Sequence, residues 1–235
     1  MRLYLIRHAD PDYAAGTITA AGHAEAKALA GYLAAEGLER VYSSPLQRAL
    51  ETARYTAEST GIGLEVLDWA AEMDEWKDSA PGYVMPFDLP GDVLAEPERT
   101  QENWSDHPAF DGRLVRETYE ARMVQADDWL KGLGLLREEG HYVQALKTPA
   151  RIVLFCHAGL GNALLAHWLN VPLTLWWAGF WCAPSSVTQV VFEPRENGHV
   201  HPRVIAYGET THLHEAGLPV RPRGLKEKAS FGAVD

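Results

Sequence analysis

A chain of 235 residues, 46% hydrophobic and 23% charged, is long enough to bury a full core and has the balance of a soluble globular protein. Its net charge of −11 leaves no basic stripe for a nucleic-acid backbone, though a few cations held locally would still serve a small anionic ligand. Two cysteines make no disulfide framework, and no apolar run is long enough to span a bilayer.

In chain order, Arg2–Ile6 is a short apolar run suited to a buried parallel strand. It turns charged at Arg7-His8 with no apolar region following, unlike a signal peptide. With only two cysteines, a reducing cytoplasm is the expected compartment, and neither membrane nor nucleic acid is an expected partner. After a polar loop over 9–18, Thr19 caps a predicted helix over about 20–35, with Leu29 and Leu33 on one face and Gly37 past its end. Val41-Tyr42 reads as a second strand. Ser44 and Pro45 then supply an N-cap and a first-turn proline for a helix to about Ser59, ended by Gly61 and Gly63. Leu64–Leu67 is a third strand, and this β-α-β-α-β order implies a parallel sheet covered by helices.

Residues 73–112 carry Pro81, Pro86, Pro90, Pro97 and Pro108 with little periodicity, and read as an irregular insertion. A helix is predicted over about Leu114–Leu136, a strand over Arg151–Cys156 and a helix over Leu160–Leu169. Strands over Ser186–Phe192 and Arg203–Tyr207 flank a turn at Asn197-Gly198, and the tail beyond Pro219 is expected to be loosely held. The fold expected is a single α/β domain over 1–235: a three-layer sandwich whose mostly parallel central sheet has helices on both faces. The 73–112 segment would be its lid or substrate-specificity insertion.

Three segments place ionisable residues just past a predicted strand, the edge where open parallel sheets bind ligands. They are Arg7-His8, the run Ser43-Ser44-Pro45-Leu46-Gln47-Arg48, and His157 with Ala158-Gly159 behind it. If those strands are neighbours, two arginines and two imidazoles converge. Such a cluster suits an anion: guanidinium forks match phosphate oxygens, helix N-termini add N–H donors, and an imidazole can attack phosphorus. Read singly, Arg48 could instead be a helix-surface arginine paired to Glu51 or Glu58.

The runs Leu-Ile-Arg-His-Ala at 5–9, Ser-Ser-Pro-Leu-Gln-Arg-Ala-Leu-Glu-Thr-Ala at 43–53 and Val-Leu-Phe-Cys-His-Ala-Gly at 153–159 resemble the histidine phosphatase superfamily, in the branch that contains the cofactor-dependent phosphoglycerate mutases. Thr19-Ala20-Ala21-Gly22 is similar to the family's Thr-x-x-Gly. The resemblance covers residues 1 to about 75 and about 150 to 213. It implies a phosphoglycerate mutase-like fold and hydrolysis of a small phosphate monoester without metal or other cofactor. It also implies His8 as the nucleophile that becomes a phosphohistidine, with Arg7, Arg48, His157 and Ala158 around the phosphoryl group. The family's proton donor is a glutamate about two dozen positions beyond the second arginine, which Glu72 matches, with Asp74 and Glu75 as rivals.

This sequence departs from the family pattern in two places. Ala9 stands where the family most often has glycine, and the loop Asp10–Gly16 is shorter than the mutases' and brings two acids near the pocket. A phosphatase is therefore expected ahead of the alternatives, a phosphoglycerate mutase-type isomerase or a non-catalytic module binding a phosphorylated ligand. Among the remaining features, Cys156 reads as a buried small hydrophobe, and His199-x-His201 and His212-x-His214 lack the partners of a metal site. Ser185-Ser186 reads equally as a pocket edge or a strand start. The cluster Trp176-Trp177 and Phe180-Trp181 suits core packing, a pocket wall or the face of a homodimer. Trp76, Tyr83, Phe87, Trp104 and Phe110 would supply a lid.

Overall fold

The structure is a computed structural model, which describes residues 1–74, 85–89, 91–94, 100, 102–106, 110 and 115–225. Strand β1 (Arg2–Arg7) is followed by the small ribbon β2 (Pro11–Asp12) and β3 (Thr17–Ile18), then by α1 (Ala20–Ala34), β4 (Arg40–Ser43), α2 (Gln47–Thr60) and β5 (Leu64–Val66). Beyond the insertion, which includes α3 (Gly91–Leu94), come α4 (Val115–Gly132), β6 (Leu135–Glu138), β7 (His141–Gln144) and β8 (Arg151–Cys156). The chain continues through α5 (Ala158–Leu169), α6 (Leu173–Gly179), β9 (Val187–Pro194), β10 (His199–Glu209) and α7 (Thr211–Glu215).

Eight strands form one sheet in the order β5-β4-β8-β1-β9-β10-β7-β6. The neighbours β5, β4, β8 and β1 are parallel, and every pairing from β1 through β9, β10 and β7 to β6 is antiparallel. The three-layer α/β expectation holds, with a sheet more evenly mixed than the early β-α-β order suggests. Alternation along the strands splits the core in two. Tyr4 and Ile6 of β1 join Val153 and Phe155 of β8 against Leu29 and Leu33 of α1. Leu3 and Leu5 join Leu154 and Cys156 against α4 and α5, through Met123, Leu130, Leu164 and Trp168. β1 and β8 are buried on both faces, which is why they read as continuous apolar runs.

The helix expected over Leu114–Leu136 is corrected: α4 stops at Gly132 and the chain enters the β6–β7 hairpin. Its two-residue turn has positive φ at both Glu139 (44°) and Gly140 (80°), as the twist of a tight hairpin requires. Glu-Gly is a weaker turn signal than Asn-Gly or Asp-Gly, and the sequence shows no clear break there. The α2 start also differs: the helix begins at Gln47, and Ser44 Oγ accepts the Leu46 N–H from ahead of it. Thr19 caps α1 as expected, accepting the Gly22 N–H at 3.0 Å. Of the expected lid aromatics, Trp104 and Phe110 are core residues at 1% exposure, while Trp76 and Tyr83 lie outside the described residues.

Candidate active site

The three motif segments meet because their strands are neighbours with ends in register. Arg7 pairs with Cys156 across β1 and β8, and Ser43 with Phe155 across β4 and β8. His8 and His157 are thus the first residues past two adjacent parallel strands, with ring centroids 5.2 Å apart. The ladder extends one step further: the His8 N–H donates to the Cys156 carbonyl at 3.0 Å, and the Ser44 N–H to the Phe155 carbonyl at 2.8 Å.

Both imidazoles are buried, and each has one nitrogen engaged. His8 Nδ1 lies 2.8 Å from the Ala9 carbonyl oxygen. A carbonyl only accepts, so Nδ1 carries the proton and Nε2 keeps its lone pair. Burial first, then the charges of Arg7 and Arg48, hold His8 well below the usual histidine range, so the ring is neutral. His157 Nε2 is 2.7 Å from Ser44 Oγ, and that hydroxyl already accepts from Leu46. A serine hydroxyl can accept twice, so the contact fits either His157 tautomer; with Ser44 donating, the ring proton is on Nδ1. Burial and then the neighbouring His8, Arg48 and Arg7 push His157 down as well.

Three buried nitrogens in this cluster, Arg7 Nε, Arg48 Nε and His157 Nδ1, have no hydrogen-bond partner among the described residues. The two guanidinium nitrogens are donors in any state, and unsatisfied buried donors are costly in isolation, so the cluster suits an anion. Arg7 is fixed from behind, its Nη1 donating to the carbonyls of Cys182 at 2.6 Å and Arg223 at 3.3 Å. Arg48 does not pair with Glu51, which bonds Thr17 and Gln47; its guanidinium lies 5.7 Å from the centre of the Tyr13 ring.

Glu72 reaches the same cavity from the segment after β5. One carboxylate oxygen accepts from the N–H groups of Met73 (3.0 Å) and Leu160 (2.8 Å), the other from Gly159 (3.1 Å), so it sits on the N-terminus of α5. Burial pushes its carboxyl above the ordinary range, against the opposing pull of those N–H donors and Arg48. A Cβ at Gly159 would lie 2.7 Å from both Glu72 Oε1 and Phe87 Cδ1, so a side chain there would displace one or both of them. Asp74 also lines the cavity, while Glu75 lies outside the described residues. Ala158 lines it beside Gly159.

Several further residues support the site. Thr52 Oγ1 accepts the Ala9 N–H at 3.0 Å and donates to the Arg48 carbonyl at 2.7 Å, tying the first two motifs together. Ser185, at φ 56°, donates its N–H to the His8 carbonyl and pairs with His212, which settles where that serine acts. The two acids expected near the pocket are a correction. Asp10 is turned away to Arg223 and Thr19, and Asp12 closes a turn on the N–H groups of Ala14 and Ala15. The loop presents Tyr13 to the cavity instead. Cys156 is a core residue whose thiol burial raises, and Trp177 is 7% exposed yet lines the cavity.

Residues 3–203 match the Histidine phosphatase superfamily (branch 1). Solved structures of the same fold include a mycobacterial glucosyl-3-phosphoglycerate phosphatase complexed with VO3, 20% identical over 89% of this chain and 99% of that one, with TM-score 0.58. A phosphoserine phosphatase from Entamoeba histolytica, with phosphoserine bound, is 17% identical over 90% and 98%, with TM-score 0.59. A further similar structure, mycobacterial hydrolase 2, is 21% identical over 92% and 96%, with TM-score 0.57. No curated protein sequence matches this chain. With the motif segments in register at one sheet edge and the match running from β1 into β10, the chain belongs to branch 1 of the histidine phosphatase superfamily.

Proposed function

We propose that this protein hydrolyses a phosphate monoester through a phosphohistidine on His8, with Glu72 as proton donor and no metal. The observation that carries the reading is the tautomer of His8: Nδ1 is bonded to the Ala9 carbonyl, so Nε2 is the nucleophilic nitrogen, in a cluster with two buried arginine donors, Arg7 Nε and Arg48 Nε, that have no partner among the described residues. In the first step Nε2 attacks phosphorus, the bond from phosphorus to the alcohol oxygen breaks, and Glu72 gives that oxygen its proton. In the second, water attacks the phosphohistidine, the carboxylate of Glu72 takes a proton from it, and orthophosphate leaves. Arg7 and Arg48 neutralise charge on the non-bridging oxygens and His157 stabilises it by a hydrogen bond, each such donor commonly contributing about 10²–10³ in rate.

Two of the structural relatives are phosphatases by description, which supports hydrolysis over isomerisation. So does the short 10–16 loop, whose acids are occupied elsewhere. We read 1–235 as one catalytic domain, with 73–112 as its substrate-facing insertion. No helix among the described residues is long and apolar enough to cross a membrane, and both cysteines are unpaired, which supports a reducing compartment such as the cytoplasm.

The test is release of orthophosphate from p-nitrophenyl phosphate by the wild type and by His8→Ala, with acid-quench trapping of labelled phosphohistidine. Hydrolysis that disappears with His8, together with a trapped intermediate in the wild type, is expected. Undiminished turnover in His8→Ala sinks the reading. Transfer between hydroxyls without free phosphate would make the protein a mutase, and phosphate binding without a trapped intermediate would make it a binding module.

A further inference from the structure

The cavity does not end at the phosphoryl pocket. It extends to about 700 Å³, the size of a site for a substantial organic group. Its outer wall is apolar and comes from three separate parts of the chain: Met85, Phe87 and Leu89 from the insertion, Trp177 and Phe180 from the end of α6, and Leu225 from the C-terminal segment. Phe87 and Trp177 meet edge to face with centroids 6.0 Å apart, and Phe180 is stacked on Trp176 at 4.3 Å. Rings held this way are a rigid surface, so covering them costs little conformational entropy.

Among the described residues the exposed aromatic side chains are Tyr13, at 63%, and Phe180, at 43%, and both line this cavity. Apolar groups left in water and gathered around a concave site mark a surface that a ligand covers. The charges along the cavity point the same way. Asp88 lines it, and a carboxylate there would repel a second anionic group. Among the described residues, the arginines lining the cavity are Arg7 and Arg48 at the phosphoryl end and Arg223, whose Nε and Nη2 are given to Asp10.

We propose that this wall binds the alcohol portion of the substrate as an aromatic or otherwise apolar group, so that the substrates are aryl and arylalkyl phosphate monoesters carrying no second anionic group. This rests on the phosphatase reading above. It places the leaving group between Tyr13 on one side and Phe87, Trp177 and Phe180 on the other, with its oxygen toward Glu72. Phe87 contacts Gly159 beside the Glu72 carboxylate, so an apolar group lying on Phe87 also shields the proton transfer from water.

The test compares three alkyl monoesters whose leaving alcohols differ in apolarity and charge: 2-phenylethyl phosphate, glycerol 3-phosphate and 3-phosphoglycerate. The wild type is expected to turn over 2-phenylethyl phosphate with kcat/KM at least tenfold above both others. Phe87→Ala and, at a position exposed enough not to threaten folding, Phe180→Ala should each lower that ratio at least threefold. Equal or better turnover of glycerol 3-phosphate or 3-phosphoglycerate, with all activity still lost in His8→Ala, overturns the substrate class and leaves the phosphatase reading standing. An unchanged ratio in both variants overturns it too. No turnover of any of the three, with p-nitrophenyl phosphate still hydrolysed through His8, overturns the substrate class alone; turnover that survives His8→Ala overturns the phosphatase reading and the substrate class with it.

Discussion

In water a histidine and a glutamate titrate in the wrong order for the chemistry proposed here, near pH 6.5 and 4.3, so neutral imidazole and protonated carboxyl rarely coexist. Burial in this site moves both toward the required states: His8 is pushed down and Glu72 up. The pH profile of kcat/KM should then be a bell, with an acid limb from protonation of His8 and an alkaline limb from deprotonation of Glu72. Because one group is lowered and the other raised, the active window widens from both sides. In Glu72→Gln the alkaline limb should vanish. The same variant should lose about 10²–10⁴ in kcat on 2-phenylethyl phosphate. It should lose far less on p-nitrophenyl phosphate, whose leaving group departs as an anion. Equal losses on the two substrates would remove Glu72 from the donor role, and a larger alkyl-specific loss in Asp74→Asn would give that role to Asp74.

Among the elements, the C-terminal segment does more than its composition suggests. Residues after Pro219 are expected to be loosely held, yet Arg223 makes a two-pronged bond to Asp10, with contacts of 2.6 and 3.1 Å. Its carbonyl accepts from Arg7 and from Trp181 Nε1, and Arg221 faces Glu25 at 3.6 Å. Burial would raise Asp10, but the bonds from Arg223 and Thr19 outweigh it and hold the carboxyl below its ordinary value. Arg223→Ala would strip a buried carboxylate of its fork and release the carbonyl that orients Arg7. The expected result is a loss of about 1–2 kcal/mol in thermal unfolding, kept modest because Arg223 itself is half in solvent. Orthophosphate should also inhibit severalfold more weakly. Arg223→Lys should restore little, since an ammonium cannot reproduce the fork. Wild-type phosphate affinity in Arg223→Ala would show that the segment does not position Arg7.

The layering of the whole molecule buries one carboxyl with a consequence for stability. Glu25 of α1 is 2% exposed and accepts the Asp10 N–H at 2.8 Å. Burial lifts it from 4.5 to about 7, aided by the charge of Asp10 and opposed by the Asp10 N–H, Arg221 and Arg7. Between pH 4.5 and about 7 the folded chain keeps a proton that the unfolded chain has lost. The stability tied to this group is therefore full below pH 4.5 and falls as pH rises to about 7. Glu25→Gln removes that dependence, so the melting temperature of the variant relative to wild type should rise between pH 5 and pH 8. A difference that stays constant with pH would show that Glu25 ionises as freely in the folded chain as in the unfolded one.

The sequence by itself determined which side chains gather at the candidate site and which strands end beneath them. Apolar runs at 2–6 and 152–156 could only be buried strands, and the residues just past such strands stand at the ligand-binding edge of a parallel sheet. It also determined Thr19 as a cap and marked the insertion by its prolines. Tertiary structure alone decided which His8 nitrogen is free, because that depends on where the Ala9 carbonyl points. It brought the N-terminus of α5 to Glu72, the residue matched to the family's donor, and recruited Thr52, Ser185 and Arg223 to hold the first motif in place. Their partners lie from 43 to 213 positions away. No local spacing encodes such a bond; it exists because elements packed on opposite faces of one sheet bring their ends to the same edge.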